Sequence, residues 1–161
     1  MFVRDIMSEW LVWCMPHNNL QEAACKLLSA DCGALPVVED PYTMRLVGML
    51  TDRDIVCRAV APGHNPMSTR VDECMSRPVV SVTPCDMLDR CCELMRRHQL
   101  RRLAVVDGEG RCCGMISQAD LAHFAPRREL ADVMESISLP YQAGMARQRD
   151  QGLGRARESY R

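Results

Sequence analysis

Residues 48–54 read Gly-Met-Leu-Thr-Asp-Arg-Asp, and residues 114–120 read Gly-Met-Ile-Ser-Gln-Ala-Asp. Both reduce to a glycine, two apolar residues, a hydroxyl, two variable residues and an aspartate, and they start 66 positions apart. A phrase repeated at such a distance constrains the chain to two related halves. The match extends upstream at an offset of 68: Met7-Ser8 with Met75-Ser76, Pro16 with Pro84, Leu20 with Leu88, Leu27 with Met95, and Val37-Val38 with Val105-Val106. The drop from 68 to 66 assigns the first half a turn two residues longer, Glu39 to Met44 against Asp107 to Gly110.

Each half reads as the same run of elements. An extended segment (Leu11 to Cys14; Val79 to Val82) precedes a proline. Apolar residues at helical spacing then predict helices over Asn19 to Ala30 and Asp86 to His98. Asn19 and Glu22 have the spacing of a capping box. A strand (Ala34 to Val38; Leu103 to Val106), a turn and a second strand (Arg45 to Leu50; Arg111 to Ile116) follow. A last helix starts at Thr51 or Ser117 and stops near Pro62-Gly63 or Pro126, because proline cannot continue a helix. The expectation is an α+β fold, β-α-β-β-α twice: repeat 1 over 1–61, a linker over 62–70 and repeat 2 over 71–126.

Thr51 and Ser117 each end a strand and open a helix. A hydroxyl there can accept a bond from a free N–H of the first helical turn, and the aspartate three residues on offsets the helix's positive end. Capping alone accounts for the pattern. The same geometry also suits a nucleotide: helix N–H groups and a hydroxyl toward phosphate, and a carboxylate toward the cis hydroxyls of a ribose.

With these residues in place, the chain resembles a pair of CBS domains, the tandem known as a Bateman module. The resemblance covers residues 1 to about 125 and rests on Asp5-Ile6-Met7-Ser8, on Cys32 to Val38, on Gly48 to Ile55 and on their second-half partners. The pattern is similar to stand-alone bacterial proteins made of little more than one such pair. The resemblance implies pseudo-twofold packing, two clefts between the sheets, and adenosine nucleotides or other adenosyl ligands as occupants. Carried over by motif, Asp54 and Asp120 would hold the ribose. Thr51, Arg53, Ser117, Arg101 and Arg102 would face phosphate. Val12, Ala34, Leu35, Pro36, Val80, Leu103, Ala104 and Val105 would wall the base. The resemblance also implies a homodimer, a regulated partner protein and no obligatory cofactor. The copies differ: Arg53 stands against Ala119, Pro36 against Ala104, and Gly33-Ala34 against Arg101-Arg102. One of the two sites is therefore expected to be degenerate, and the sequence does not say which. The alternative is a structural or protein-interaction module with both clefts degenerate and empty, the surface or the helix over 127–139 docking a partner.

Composition narrows the alternatives. The formal net charge is −1, so bulk electrostatics attract neither nucleic acid nor a membrane surface. No apolar run approaches the ~18 residues of a membrane span, and Arg4, Asp5 and Glu9 interrupt the place of a signal sequence. A cytoplasmic location is expected. There are 10 cysteines, none in a Cys-x-x-Cys pair. They read as small core hydrophobes, with no metal site expected. No nucleophile–base pair or paired carboxylates point to catalysis. Trp10 and Trp13 flank the first extended segment and are expected to pack in a core or interface. Beyond Pro126, Leu130, Val133, Met134 and Ile137 predict an amphipathic helix over 127–139. The Arg-rich stretch 140–161 is expected to be a disordered basic tail.

Overall fold

The computed structural model describes residues 1–139; the predicted basic tail lies outside the described residues. In the first half, helix α1 (Leu20–Ser29) leads into an antiparallel pair, β1 (Ala34–Val38) and β2 (Leu46–Thr51). Helix α2 (Asp52–Ile55) follows and widens into a π turn over Val56–Val60. A short helix α3 (Val71–Cys74) opens the second half. There β3 (Ser81–Val82), α4 (Leu88–His98), β4 (Arg102–Val106), β5 (Cys112–Ser117) and α5 (Gln118–Phe124) follow in order. Helix α6 (Arg127–Ser138) ends the described chain. The second sheet has strand order β3-β4-β5, with β3 parallel and β5 antiparallel to β4.

The expected first strand of repeat 1 does not form. Only Cys14 bridges Val37. Side chains claim the neighbouring backbone groups: Lys26 Nζ donates to the Trp13 carbonyl at 2.8 Å, and the Met15 N–H donates to Asn18 Oδ1 at 2.8 Å. The predicted capping box of α1 closes on one side only. The Glu22 N–H donates to Asn19 Oδ1 at 2.8 Å, but the Glu22 carboxylate accepts from Asn18 Nδ2 at 2.9 Å. Helix α4 starts two residues later than expected, since Asp86 is spent accepting the Thr83 N–H of the preceding turn at 2.6 Å. Trp13 packs between the halves with Lys26 Nζ 5.1 Å from its ring centre. Trp10 is 88% exposed, which rules out the core alternative and leaves the interface one.

The leading segments of the halves are exchanged. Val3 and Ile6 are buried in the second-half core with Leu88, Met95, Leu103 and Ile116. Val71, Cys74 and Met75 are buried in the first-half core with Leu20, Leu27, Leu35 and Leu50. This exchange explains the glycine of the repeated phrase. Ser76 pairs with Met49 (2.8 and 3.1 Å), which lays Met75 on Gly48; Ser8 pairs with Met115 (2.9 and 3.0 Å), which lays Met7 on Gly114. A Cβ at either glycine would collide with methionine.

The turns meet at the pseudo-twofold axis. Cys112 donates its N–H to the Met44 carbonyl (2.8 Å), and Leu46 donates to the equivalent Gly110 carbonyl (3.1 Å). Both acceptor residues have positive φ, +52° at Met44 and +78° at Gly110. A third apolar cluster joins the sheets: Val38, Ala104 and Cys112, flanked by Leu11, Trp13, Met49, Val79 and Met115.

Candidate functional site: two strand-to-helix junctions

The two phrases fold alike. Thr51 donates to Asp54 Oδ2 through its N–H (2.9 Å) and its hydroxyl (2.7 Å), and its Oγ1 accepts the Asp54 N–H at 3.1 Å. In the second copy Ser117 donates to Asp120 Oδ2 through its N–H (2.7 Å) and hydroxyl (2.7 Å), and accepts the Asp120 N–H at 3.3 Å. Each is a reciprocal capping box, with the helix's first orphan donors satisfied and the carboxylate fixed in place. In each, one carboxylate oxygen is committed to the cap, which leaves Oδ1 as the oxygen that can take further donors.

The surroundings differ. Asp54 Oδ1 faces Arg58 Nη2 at 3.3 Å, with the carboxylate side chain only 13% exposed. Arg58 is itself anchored, because its Nη1 donates to the Cys74 carbonyl at 2.7 Å. The position equivalent to Arg58 is Phe124, and among the described residues no hydrogen bond or ion pair reaches Asp120 Oδ1. Arg58 escaped the sequence reading, although its four-residue spacing from Asp54 on one helix is the signal of such a pair.

The cationic candidates separate. Arg102, half-buried at the start of β4, crosses to the first half and lies against Gly33 beside the Asp52 carboxylate. Arg53 and Arg101 are exposed. The Arg53 N–H is bonded to Asp52 Oδ1 (2.7 Å), and the Arg101 carbonyl accepts the Gln118 N–H (2.9 Å). Gln118 Oε1, at the first position of α5, is buried with no hydrogen-bond partner among the described residues.

The base-wall candidates divide by strand alternation. Leu35 is fully buried in the first-half core, and Leu103 and Val105 are buried in the second-half core. Val12 and Val80 pack at the edges of those cores. Ala34, Pro36 and Ala104 lie on the alternate positions, with Ala104 in the cluster between the sheets. A cavity of about 340 Å³ opens between the halves, lined by Leu46, Val47, Val79, Ser81 and Val106 among others. Its Ser81 pairs with Ala104, two residues along β4 from Arg102. Apolar side chains (Leu46, Val47, Pro78, Val79 and Val106) line the cavity together with the Ser81 hydroxyl and polar backbone, and Gly110 places one end of it at the β4–β5 turn.

Buried thiols are chemically quiet. Burial pushes Cys14 and Cys91 up to about 12, and Cys92 and Cys112 up to about 11. Among the described residues, no group of three or more His, Cys, Asp or Glu is placed to hold a metal ion, and no helix is long and apolar enough to cross a membrane.

Comparison with known proteins accords with this architecture. The model of the CBS domain matches residues 3–60 and 71–127. The chain is 40% identical to the CBS domain-containing protein YhcV of Bacillus subtilis over 120 residues, 74% of this chain and 82% of that protein. It is 33% identical to hypoxic response protein 1 of Mycobacterium tuberculosis over 137 residues, 85% of this chain and 94% of that one. The crystal structure of hypoxic response protein I, with two coordinated zinc ions, superposes with a TM-score of 0.71 at 33% identity over 78% of this chain and all of that one. The CBS domain pair of protein MJ0100, in complex with 5-methylthioadenosine and S-adenosylmethionine, gives a TM-score of 0.68 at 26% identity over 76% of this chain and 94% of that one.

Proposed function

The chain belongs to the CBS-domain family, and from that premise we propose that it is a non-catalytic regulatory module that binds adenosine nucleotides in the clefts between its repeats. AMP, ADP, ATP or a related adenosyl ligand is the occupant. The observation that carries the reading is the doubled junction: in both copies a carboxylate is clamped by the hydroxyl residue three positions earlier, at the end of a β-hairpin. A clamped carboxylate accepts two hydrogen bonds from a cis diol without paying to become ordered. Asp54 and Asp120 are the ribose acceptors. Thr51 and Ser117 flank the phosphates, with Arg102, the cation that crosses between halves, as their main partner and Arg53 and Arg101 at the rim. Ala34, Pro36, Ala104, Val12 and Val80 border the base. Leu35, Leu103 and Val105 contribute through their backbone, since their side chains fill the cores.

The ligand acts by population shift: one arrangement of the halves binds it better and is favoured by that difference in affinity. A homodimer is part of the proposal. Val56 and Val60 on the last helix of the first half and Phe124 on that of the second are apolar and half exposed, as a surface awaiting a second copy would be. A cytoplasmic location and a regulated protein partner complete it.

Thermal melting tests the reading. AMP, ADP, ATP or S-adenosylmethionine at a hundred times its Kd stabilises by about 2.7 kcal/mol per site. Asp54→Ala and Asp120→Ala each remove one site's share. An unchanged melting temperature with all four ligands, or ATP turnover that Asp54→Ala abolishes, would sink the proposal.

A further inference from the structure

The two junctions share their capping geometry but not their availability. Asp54 Oδ2 is held by Thr51, and its Oδ1 is 3.3 Å from Arg58. That guanidinium is not a free surface group. It is tied at 2.7 Å to the carbonyl of Cys74, the last residue of α3, whose chain continues into the exchanged Met75-Ser76 segment lying on Gly48 and Met49. Asp120 has the same Oδ2 contacts, while the Arg58 position is Phe124 and no cation in the described residues reaches its Oδ1.

A ribose that donates both hydroxyls to a carboxylate needs the outward oxygen. In the second copy that oxygen is available. In the first it is already taken by a cation fixed at its other end. We infer that the two sites are filled in order: Asp120 is the ready nucleoside acceptor, and Arg58 is a latch on Asp54 that a ligand must displace. The inference rests on the nucleotide-binding reading and goes beyond it by ranking the sites and naming the residue that ranks them. A guanidinium moved off Asp54 disturbs the bond that its other nitrogen makes to the Cys74 carbonyl. Occupancy of the first site is thereby coupled to α3 and the exchanged segment, whereas occupancy of the second is not. The coupling is local: it runs from one carboxylate through one guanidinium to one helix end.

Isothermal titration of the full chain with AMP and with ATP tests the order. The wild type should show a stronger and a weaker step. Asp120→Asn removes the stronger, and Asp54→Asn removes only the weaker. Arg58→Ala strengthens the weaker step about threefold, in the range a half-exposed ion pair spans. Arg58→Gln, which keeps most of the packing volume, shifts it the same way. The latch is overturned if either Arg58 variant weakens that step, or if Asp54→Asn abolishes the stronger one. Two equal steps indifferent to Arg58 overturn the ranking alone and leave the nucleotide reading intact. No heat with AMP, ATP or S-adenosylmethionine in wild type or Arg58 variants removes both.

Discussion

In the first half the junction carboxylate is paired with Arg58, the helix behind it widens into a π turn, and the outer face of α1 is open, with Leu28 84% exposed. In the second half no cation among the described residues pairs with the carboxylate, the helix behind it is a short α-helix, and α6 lies over α4, burying Val133 and Ile137 in the core. The backbone devices are therefore the same in both copies: a reciprocal cap, a glycine under a methionine, a turn carbonyl offered across the axis. What differs is what sits one layer outside them. The two copies share the parts that hold the halves together, while the outer layer differs enough to give two junctions of different character.

The largest test of that contrast is the cover on the second half. Ile137→Ala should cost about 2–4 kcal/mol through lost burial and the cavity it leaves. The loss should appear in hydrogen exchange first as weakened protection of α4, with α1 following only in global unfolding. Equal loss of protection in both halves would mean that the exchanged segments make them one cooperative unit. The same packing bears on α6 as a docking element: deleting it would uncover the second core, so loss of a partner on deletion would not by itself locate the interface.

The glycines come next. Gly48→Ala and Gly114→Ala each force a Cβ into the exchanged methionine, a cost of about 1–3 kcal/mol for overpacking. Gly114→Ala should be the worse. Its Cβ would also lie 3.2 Å from the Ser8 carbonyl oxygen, and backbone cannot swing aside as a thioether can. Urea melts of each variant, alone and with Met75→Ala or Met7→Ala, measure the coupling directly. More complete rescue at Gly48 than at Gly114 is the expected result; equal rescue would erase the difference.

These glycines also mark how far the sequence could be read. The repeat, the strand pairs β1–β2 and β4–β5, the helices α1 and α4 and both caps were legible, because each depends on residues within a few positions of one another. Asn19, Thr51 and Ser117 announce helix starts by local chemistry, and Leu20, Leu27, Leu88 and Met95 announce buried faces by spacing. The exchange of Val3–Met7 with Val71–Met75 was not legible. It depends on contacts across the axis, and an offset of 68 reads the same whether a segment packs on its own half or on the other. The missing first strand was lost to Lys26, thirteen residues from Trp13, and to Asn18, three residues from Met15: both are side chain-to-backbone bonds, and apolar periodicity registers neither. Among the candidate site residues, Asp54, Asp120 and Arg102 can be named from the phrase and its flanks; their roles toward a ligand are the proposal. Leu35, Leu103 and Val105 were assigned to a wall because strand alternation does not say which face meets a ligand.

The buried thiols offer a smaller effect near neutral pH and a clear one above it. Burial raises Cys14 and Cys74 in the first core and Cys91 and Cys92 in the second. A group whose pKa is raised on folding stabilises fully below its unfolded value and loses that contribution as pH rises through its folded value. Stability should therefore hold up to about pH 9 and fall from there toward 11–12 for Cys92 and Cys91. Pulsed alkylation at stepped pH sharpens the comparison of halves. Cys25, Cys57 and Cys85 are exposed and label at once. Cys14 and Cys74 should then label before Cys91 and Cys92, because α6 closes only the second half. The reverse order would show that α6 does not limit access to the second core.

The smallest effect separates capping from binding. Thr51→Ala and Ser117→Ala each remove a cap that contributes about 1 kcal/mol. They should not cost the same. After Thr51→Ala, Asp54 still has the Thr51-position N–H and Arg58 to hold it. After Ser117→Ala, Asp120 keeps the backbone N–H alone. The second-half variant should therefore lose the larger fraction of its cap's worth in a denaturant melt without ligand. With AMP present the gap should widen if, as proposed, Ser117 faces phosphate at the site that fills first and Thr51 at the one that Arg58 guards. A gap that stays constant with and without nucleotide would assign both hydroxyls to helix capping alone, and would leave the carboxylates and Arg102 to account for any binding.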